Sequence, residues 1–266
     1  PSAGWSAAAT LTPGESYGHR YHTANLLPDG RVIVTGGAGG AFGTTALDYY
    51  RIYDPTGNSW SGTPFPAIGG ARYAHAATLL ASGDLLLVGG NAANSVVVDV
   101  IDGTWASAGS LDGPREEGAV ALLPNGKVIY AGGIDWGNNG AYNSALLYDP
   151  ASDTWSAAGT FNTTPSSFPG TNAATMTLLT SGDALMVGGT NGFGGWAEPR
   201  CNIYSTSSGT WSATQDLGTA RWYHTATLLL DGRVLVVGGY DGTWLSSCEI
   251  YNPASGTWSS ANPLTT

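Results

Sequence analysis

Residues 221–258, RWYHTATLLLDGRVLVVGGYDGTWLSSCEIYNPASGTW, contain the plan on which the rest of the chain is built. Their first part predicts a hairpin. Thr225–Leu230 is a β-rich run, Asp231-Gly232 is a tight-turn signal, and Val234–Val237 is a short apolar run typical of a buried strand. Gly238-Gly239 ends this second strand.

The second part of this stretch predicts two more strands. A looser segment, Tyr240–Ser247, leads to a third run around Ile250-Tyr251. Asn252-Pro253 and Ser255-Gly256 are turn signals, after which a fourth strand passes through Trp258. The whole stretch therefore predicts four short antiparallel strands.

Weaker copies of the same pattern cover almost all of the chain upstream. Each copy has a hairpin, a glycine pair, a third run and a tryptophan, although the second copy is shortened and lacks the tyrosine of its third run. Successive glycine pairs lie 53, 43, 56 and 50 residues apart, which is the period of a propeller blade with loops of variable length. The pairs and their tryptophans are Gly36-Gly37 with Trp60, Gly89-Gly90 with Trp105, Gly132-Gly133 with Trp155, Gly188-Gly189 with Trp211, and Gly238-Gly239 with Trp258.

Composition fits a β-rich chain with a large core. The 266 residues include 40 glycines, 10 tryptophans and 13 tyrosines, and 42% of them are hydrophobic, which argues against disorder. Only 11% are charged, and 19 acidic against 9 basic side chains give a net charge of −10. Nucleic acid is therefore an unfavourable partner, because phosphates require a basic surface.

The surface composition also bears on location. Lys127 is the only lysine, and a low-charge surface rich in Gly, Ser and Thr is typical of an extracellular or periplasmic protein. No run approaches the ~18 apolar residues of a membrane span. We therefore predict a secreted chain without a membrane span.

The glycine pairs, the turns of the Tyr-Asp-Pro type and the phased tryptophans resemble the Kelch-repeat β-propeller family over nearly the whole chain. This resemblance implies an all-β fold with five four-stranded antiparallel blades around a central axis, in a single domain. A twisted sheet cannot cover both its faces alone, so blades stack and bury aromatic residues between them. We therefore assign the glycine pairs and tryptophans to structure. The blades are expected at about residues 18–62, 70–107, 114–157, 170–213 and 220–260.

The N-terminal segment leaves two ways to complete the propeller. Residues 1–12, which contain Trp5, resemble a fourth strand, but the eight residues after Trp258 are too few to supply its first three strands. We favour a closed five-bladed ring in which Trp5 lies in an extra outer strand. The alternative is a section of a six- or seven-bladed propeller.

The long connections between strands are the predicted working surface, because they differ in every copy. In an antiparallel meander the short turns lie on one face and the long connections on the other. Aromatic residues interleaved with polar ones suit a carbohydrate or a protein ligand, although the same aromatics could instead cap the blades. The aromatic residues of this rim are Tyr17, Phe42, Trp136, Tyr142, Phe193, Trp196, Tyr240 and Trp244. The predicted binding residues are Trp136, Tyr142, Trp196, Tyr240, Asp241 and Trp244, around a central mouth lined by Arg115, Glu116 and Trp222.

Three histidines recur at one position of the repeat, just before the first strand. They are His22, His75 and His224, while Gly118 and Ala174 take this position in the other copies. Equivalent positions in different blades are too far apart to share one metal ion at ~2.0–2.1 Å, so we interpret the histidines as structural. In the third copy Glu116 and Glu117 precede the position. Two carboxylates could act as acid and base, but a solvated loop is the simpler interpretation.

These observations favour a binding or scaffold propeller without a cofactor. The alternative is an enzyme of the copper-radical type, or another carbohydrate-active enzyme. Arg221–His224 followed by LLLDGRV resembles the segment of the galactose oxidase family that carries a tyrosine and a histidine on copper. The resemblance would make Tyr223 and His224 copper ligands.

That family also needs a second copper histidine and a cysteine cross-linked to a tyrosine near the axis. Cys201 and Cys248 instead occupy one equivalent third-strand position in two neighbouring copies. Packed sheets lie ~10 Å apart, whereas a disulfide requires Cα atoms within ~7 Å. We therefore predict two unpaired thiols and no copper-radical activity.

Overall fold

The computed structural model describes residues 7–9, 20–40, 45–61, 67–138, 140–163, 170–192 and 196–265. These residues form 24 strands and contain no helix, so none of them belongs to a helix that could cross a membrane. Five four-stranded antiparallel sheets follow one another along the chain, as predicted, and we number them blades 1 to 5. Two small two-stranded hairpins lie in long connections.

Each blade is a meander whose four strands lie side by side in the order in which the chain forms them. Blade 1 contains β1 (Thr23–Leu26), β2 (Val32–Thr35), β5 (Tyr50–Asp54) and β6 (Ser59–Trp60). Blade 2 contains β7 (Ala76–Leu79), β8 (Leu85–Val88), β9 (Asn94–Val98) and β10 (Trp105–Ser110). Blade 3 contains β11 (Ala119–Leu122), β12 (Val128–Ala131), β15 (Ser144–Asp149) and β16 (Thr154–Thr160). Blade 4 contains β17 (Thr175–Leu178), β18 (Ala184–Val187), β19 (Cys201–Ser205) and β20 (Thr210–Ala213). Blade 5 contains β21 (Thr225–Leu228), β22 (Val234–Val237), β23 (Cys248–Asn252) and β24 (Thr257–Ala261). The hairpins are β3 (Ala38–Gly39) with β4 (Thr45–Ala46), and β13 (Ile134–Asp135) with β14 (Gly140–Ala141).

The continuous apolar runs are second strands, and in blades 2 to 4 both of their faces are covered by neighbouring blades. In β8, Leu85 and Leu87 pack with Ile33 of blade 1, while Leu86 packs with Val128 of blade 3. All three leucines are completely buried. This two-sided burial explains why the second strands lack the alternation of apolar and polar residues that a half-exposed strand shows.

Four of the phased tryptophans donate a hydrogen bond to a backbone carbonyl group that precedes their own blade. The indole Nε1 of Trp211 donates to the Ala158 carbonyl at 3.0 Å, and Trp155 donates to the Ala108 carbonyl at 2.8 Å. Trp258 makes the corresponding bond to the Gln215 carbonyl. The structural interpretation of these side chains is therefore confirmed, with Trp105 differing because it is 48% exposed.

In blades 1 to 4 the glycine pair contacts the backbone of the next blade. Gly36 and Gly37 have φ of 53° and 103°, which a residue with a Cβ rarely adopts. The Gly37 amide donates to the Arg72 carbonyl of blade 2 at 2.8 Å. A Cβ on Gly36 would lie 2.6 Å from that same carbonyl oxygen. The pair is therefore a point of close contact between blades.

The ring is not closed between blades 5 and 1 by the packing that joins the other blades. Inner strands β1 and β7, β7 and β11, β11 and β17, and β17 and β21 pack in series, but β21 and β1 show no comparable packing. Leu26 on β1 is 67% exposed and Leu228 on β21 is 37% exposed, whereas the equivalent Leu79, Leu122 and Leu178 are partly buried. The expected closed ring is therefore not seen at this junction among the described residues.

Residues 7–9 of the N-terminal segment lie beside blade 1 and are not part of a strand. Trp60 of blade 1 donates its Nε1 to the Ala9 carbonyl at 2.9 Å, as the other phased tryptophans do to a preceding fourth strand. The Ala9 amide donates to Asn58 Oδ1 at 2.8 Å. Trp5 itself lies outside the described residues.

Candidate functional site

Four residues before the first strand of each blade form a short segment, which we call the lead segment, and they bring side chains to the axis. In blade 3 the lead segment is Arg115–Gly118, and in blade 5 it is Arg221–His224. Its third residue has a positive φ in all five blades, between 53° and 57°, although none is a glycine. Backbone bonds link these residues from blade to blade: Ala74 N to Tyr21 O at 2.9 Å, Glu117 N to Ala74 O at 2.7 Å, and Ala173 N to Glu117 O at 2.9 Å. The five residues are Tyr21, Ala74, Glu117, Ala173 and Tyr223.

A pocket of about 610 Å³ opens at the centre of the long-loop face, and we call it the central pocket. This volume is in the range of small-molecule sites. The second and third residues of the lead segments form most of its wall. Its lining residues are Tyr21, Tyr73, Ala74, Glu116, Glu117, Trp136, Asn172, Thr190, Gly192, Trp222 and Tyr223.

Glu117 connects three blades across the central pocket. Its carboxylate accepts a hydrogen bond from Asn172 Nδ2 of blade 4 at 2.7 Å and another from the Tyr223 hydroxyl of blade 5 at 2.6 Å. Burial, and then the Glu117 carboxylate, raise the pKa of Tyr223 far above its usual value. Tyr223 is therefore a neutral donor to Glu117 at any physiological pH.

Glu116 has a different environment from its neighbour. Its pKa is raised to about 7, first by burial and then by the charge of Glu117, while a hydrogen bond from Trp136 opposes the shift. Asp135 raises it further by a smaller amount. With its pKa raised to about 7, Glu116 exchanges a proton near neutral pH.

Two wall residues carry polar atoms without a protein partner. Asn172 and Thr190 are each 2% exposed, and the Asn172 Oδ1 and Thr190 Oγ1 atoms accept no hydrogen bond from the described residues. The indole Nε1 of Trp222, a donor, also lacks a partner there. Buried polar groups are normally hydrogen-bonded, and these three atoms are exceptions that lie beneath the accessible surface of the wall.

A row of aromatic rings leads from the central pocket onto the rim of blade 5. Trp222 and Tyr240 meet edge to face with centroids 5.6 Å apart, and Tyr240 and Trp244 do so at 5.0 Å. Trp244 is 78% exposed. Asp241 accepts hydrogen bonds from the Thr243 amide and hydroxyl, which fixes the turn between these aromatics. The structure thus brings together four of the predicted residues, Trp222, Tyr240, Asp241 and Trp244.

Other predicted residues are placed differently. Trp136 and Glu116 line the central pocket, and Trp196 is 73% exposed on the connection of blade 4. Tyr142 does not line the pocket. Its ring covers the Arg115 guanidinium carbon at 3.8 Å from the centroid, so this aromatic caps a blade. Tyr17, Phe42 and Phe193 lie outside the described residues.

The expected position of Arg115 at the mouth needs correction. Its side chain is completely buried and donates to the Gly132 and Ser144 carbonyls at 3.1 and 3.0 Å. It also forms an ion pair with Asp112 at 2.8 Å. The first residue of the lead segment therefore turns into its own blade, and Arg115 holds the second strand to the third.

Sequence reasoning missed Tyr21, Tyr73, Asn172 and Thr190 as wall residues, and it considered Glu117 and Tyr223 only in other roles. For most of these residues, the sequence contains a positional signal. Tyr21, Glu117 and Tyr223 directly precede the recurrent histidine position, and Tyr73 and Asn172 stand one residue earlier. What was not evident is the positive φ that points these residues to the axis.

The recurrent histidines hold blades together. His75 Nε2 of blade 2 lies 3.1 Å from Thr35 Oγ1 of blade 1, and His224 Nε2 of blade 5 lies 2.9 Å from Thr175 Oγ1 of blade 4. Burial lowers the pKa of both imidazoles, to about 3 and about 4. These two histidines are therefore neutral and structural, as predicted.

The tyrosine, histidine and cysteine side chains that the copper alternative would need as ligands are not arranged to bind copper. His224 is 5% exposed and directs Nε2 to Thr175, while the Tyr223 hydroxyl is committed to Glu117. Cys201 and Cys248 are buried and unpaired, as predicted, and their thiols donate to carbonyls two residues earlier. The described residues contain no group of three or more His, Cys, Asp or Glu that could hold a metal ion.

Comparisons with known proteins agree with this architecture. Residues 221–265 match the sequence model of the Kelch motif, and no match was found among curated protein sequences. A solved structure of YjhT is similar with a TM-score of 0.76 and 15% identity, over 97% of this chain and 88% of that one. A fungal alcohol oxidase of the AA5 family, in complex with copper, is similar with a TM-score of 0.56 and 17% identity, over 94% of this chain and 68% of that one. The chain is thus a five-bladed β-propeller that carries a Kelch motif at residues 221–265. At these identities the two structures support the fold alone.

Proposed function

We propose that this protein is a secreted binding propeller whose long-loop face recognises a carbohydrate. The observation that carries the proposal is the central pocket, where five aromatic side chains and two carboxylates surround about 610 Å³. A sugar has apolar C–H faces that stack on rings and hydroxyl groups that need hydrogen-bonding partners. The secreted location rests on the low fraction of charged residues.

Exposed tryptophans around the central pocket support a ligand larger than the pocket. Trp136, Trp196 and Trp244 are 47%, 73% and 78% exposed. Large aromatic side chains at a surface are typical of binding sites. A chain of several sugars could contact the pocket with one unit and these tryptophans with others.

A protein ligand is the second candidate. The row formed by Trp222, Tyr240 and Trp244 is continuous from the pocket to the rim. Aromatic clusters of this kind often dominate the binding free energy of protein interfaces. Catalysis by a carbohydrate-active propeller remains a further alternative, although the donor set does not fit the copper-radical type.

The test is a glycan array probed with the intact chain and with Trp136→Ala, and a pull-down from secreted proteins with the same two samples. Carbohydrate recognition predicts a small set of glycans bound by the wild type and lost or weakened in the variant. A matched control is Trp105→Ala, since Trp105 is 48% exposed but lies in a fourth strand away from the central pocket. Protein capture without glycan binding would favour the second candidate.

A further inference from the structure

The central pocket combines aromatic rings with negative charge. Its wall contains Glu116 and Glu117, and none of the described residues that line it is Lys, Arg or His. Two arginines adjoin the wall. Arg115 is paired with Asp112 inside blade 3, and the Arg20 guanidinium lies 5.3 Å from the Tyr21 ring centroid. The electrostatic field in the pocket therefore favours a cation.

The aromatic residues occur in pairs from different parts of the ring of blades. Trp222 and Tyr223 of blade 5 have centroids 4.4 Å apart, and Tyr21 and Tyr73 of blades 1 and 2 have centroids 6.4 Å apart. Trp136 of blade 3 adds a fifth ring. The faces of such rings attract ammonium and guanidinium groups through their quadrupoles, and recognition of organic ammonium ions by several rings uses this effect.

We propose that the central pocket binds the positively charged nitrogen of an organic cation, and that in the carbohydrate ligand this nitrogen is the free amine of an amino sugar. The inference rests on the proposed function, because it names the class of carbohydrate that the same pocket takes. An anionic sugar is disfavoured by the two carboxylates. A neutral sugar makes no use of them as charges.

Hydrogen bonds between blades fix the wall of the pocket. Glu117 holds Asn172 and Tyr223 in place by accepting a hydrogen bond from each. The Glu117 carboxylate and the Tyr223 ring therefore have their positions before the ligand arrives.

Protonation of Glu116 should be linked to binding of the cation. The titratable and charged groups around Glu116 are Glu117, Asp135, Tyr73, Tyr130 and Tyr223, with Arg115 adjacent in sequence. Because the pKa of Glu116 is raised to about 7, this carboxyl is largely protonated at pH 5.5 and ionised at pH 8.5. A bound cation favours the ionised form, so binding releases a proton near pH 7. The affinity for a cation then falls by up to about tenfold per pH unit below the pKa.

The experiment measures binding by titration calorimetry with defined probes. Tetramethylammonium, whose charge does not change with pH, is titrated at pH 8.5, 7.0 and 5.5. Glucosamine and N-acetylglucosamine oligomers of equal length are compared at pH 6.5, where only the first carries charge. We expect tetramethylammonium to bind at least several-fold more weakly at pH 5.5 than at pH 8.5, and the glucosamine oligomer to bind at least tenfold more tightly than its acetylated counterpart.

Two variants make the assignment specific. Glu116→Gln removes one charge from the pocket with little change of shape, and it should weaken tetramethylammonium binding several-fold and abolish the pH dependence between 5.5 and 8.5. Asp102→Asn removes the same charge from an exposed turn between β9 and β10 on the opposite face, and it should leave both unchanged. An identical thermal melting transition shows that Glu116→Gln is folded. If the two variants behave alike, overall charge and not the pocket attracts the cation, and the inference is wrong.

The outcomes separate this inference from the proposed function. Equal or tighter binding of the acetylated oligomer would overturn the cation site while leaving carbohydrate recognition in place. Binding of tetramethylammonium without either oligomer would support the cation site and overturn the amino sugar as its ligand. Failure of all probes to bind would overturn the cation site, while carbohydrate recognition would still be decided by the glycan array.

Discussion

The lead segments of blades 3 and 5 have the same backbone but carry different chemistry. They read Arg115-Glu116-Glu117-Gly118 and Arg221-Trp222-Tyr223-His224. The arginine is completely buried in both, and it makes the same bonds. Arg115 donates to the Gly132 and Ser144 carbonyls, and Arg221 donates to the Gly238 and Ser247 carbonyls. The first position is therefore reserved for holding a blade together.

The next two positions differ completely between the blades, and both line the central pocket. Blade 3 supplies two carboxylates there, and blade 5 supplies two aromatic rings. At the fourth position His224 bonds to blade 4, whereas Gly118 leaves room for the Tyr130 hydroxyl, which donates to the Arg115 carbonyl at 2.6 Å. In these two blades, two adjacent positions are available for binding, while their neighbours on either side are committed to stability.

The largest expected effect comes from the two arginines. Arg221→Ala should destabilise the fold by about 3–5 kcal/mol, because it leaves Glu249, whose side chain is 9% exposed, without its ionic partner. Arg115→Ala should cost less, about 2 kcal/mol, because water can solvate Asp112, which is 50% exposed. Urea unfolding followed by tryptophan fluorescence measures both. Arg233→Ala breaks an ion pair that is exposed on both sides, and as a control it should cost far less than either. Equal losses for Arg115 and Arg221 would show that the backbone carbonyls dominate.

A smaller effect is expected from the histidine at the fourth position. Burial lowers the pKa of His224 to about 4, below its usual value in an unfolded chain. Its neutral form is therefore favoured by folding, and the stability it contributes is complete above pH ~6.5 and is lost as the pH falls towards 4. Between pH 7.5 and pH 5 this loss amounts to about 2 kcal/mol, at 1.36 kcal/mol for each pH unit below 6.5.

His224→Gln is the matched test, since glutamine can retain a hydrogen bond to Thr175 without titrating. The free energy of unfolding at pH 7.5 and pH 5, measured by urea denaturation, should fall less steeply in the variant than in the wild type. An unchanged pH dependence would mean that other buried groups, such as His75, account for the acid sensitivity.

The sequence predicted the repeat and its strands well because both depend on local patterns. Apolar second strands, turn signals and phased tryptophans recur in each copy, and each keeps its role in the structure. Arg115 was misplaced because an arginine beside two glutamates suggests a solvated loop. Its burial depends on carbonyl groups at Gly132 and Ser144, far along the chain, and on the ring of Tyr142. Such contacts arise from tertiary packing and leave no periodic signal.

The packing between blades 5 and 1 differs from the prediction for a related reason. The equivalence of the five copies suggested that each would be covered by its neighbours, but Leu26 and Leu228 are more exposed than their counterparts in blades 2 to 4. Identical residues can be core in one copy and surface in another, because burial is set by what lies beside the blade and not by the repeat itself.

The smallest effect on stability is expected at the rim, and it sharpens the difference between binding and structural positions. Trp196 and Trp244 are 73% and 78% exposed, so Trp196→Ala and Trp244→Ala should each change the free energy of unfolding by no more than about 0.5 kcal/mol. Stacking on one aromatic ring contributes on the order of 1 kcal/mol, which corresponds to a several-fold loss of affinity for a glycan or peptide ligand. The matched comparison is Trp258→Ala, whose indole bonds to the Gln215 carbonyl and packs on Tyr251 with centroids 5.1 Å apart. That variant should lose stability while any folded protein retains affinity. If the rim variants lose stability and affinity together, these tryptophans belong to the fold; if affinity survives both rim substitutions, the ligand is held by the central pocket alone.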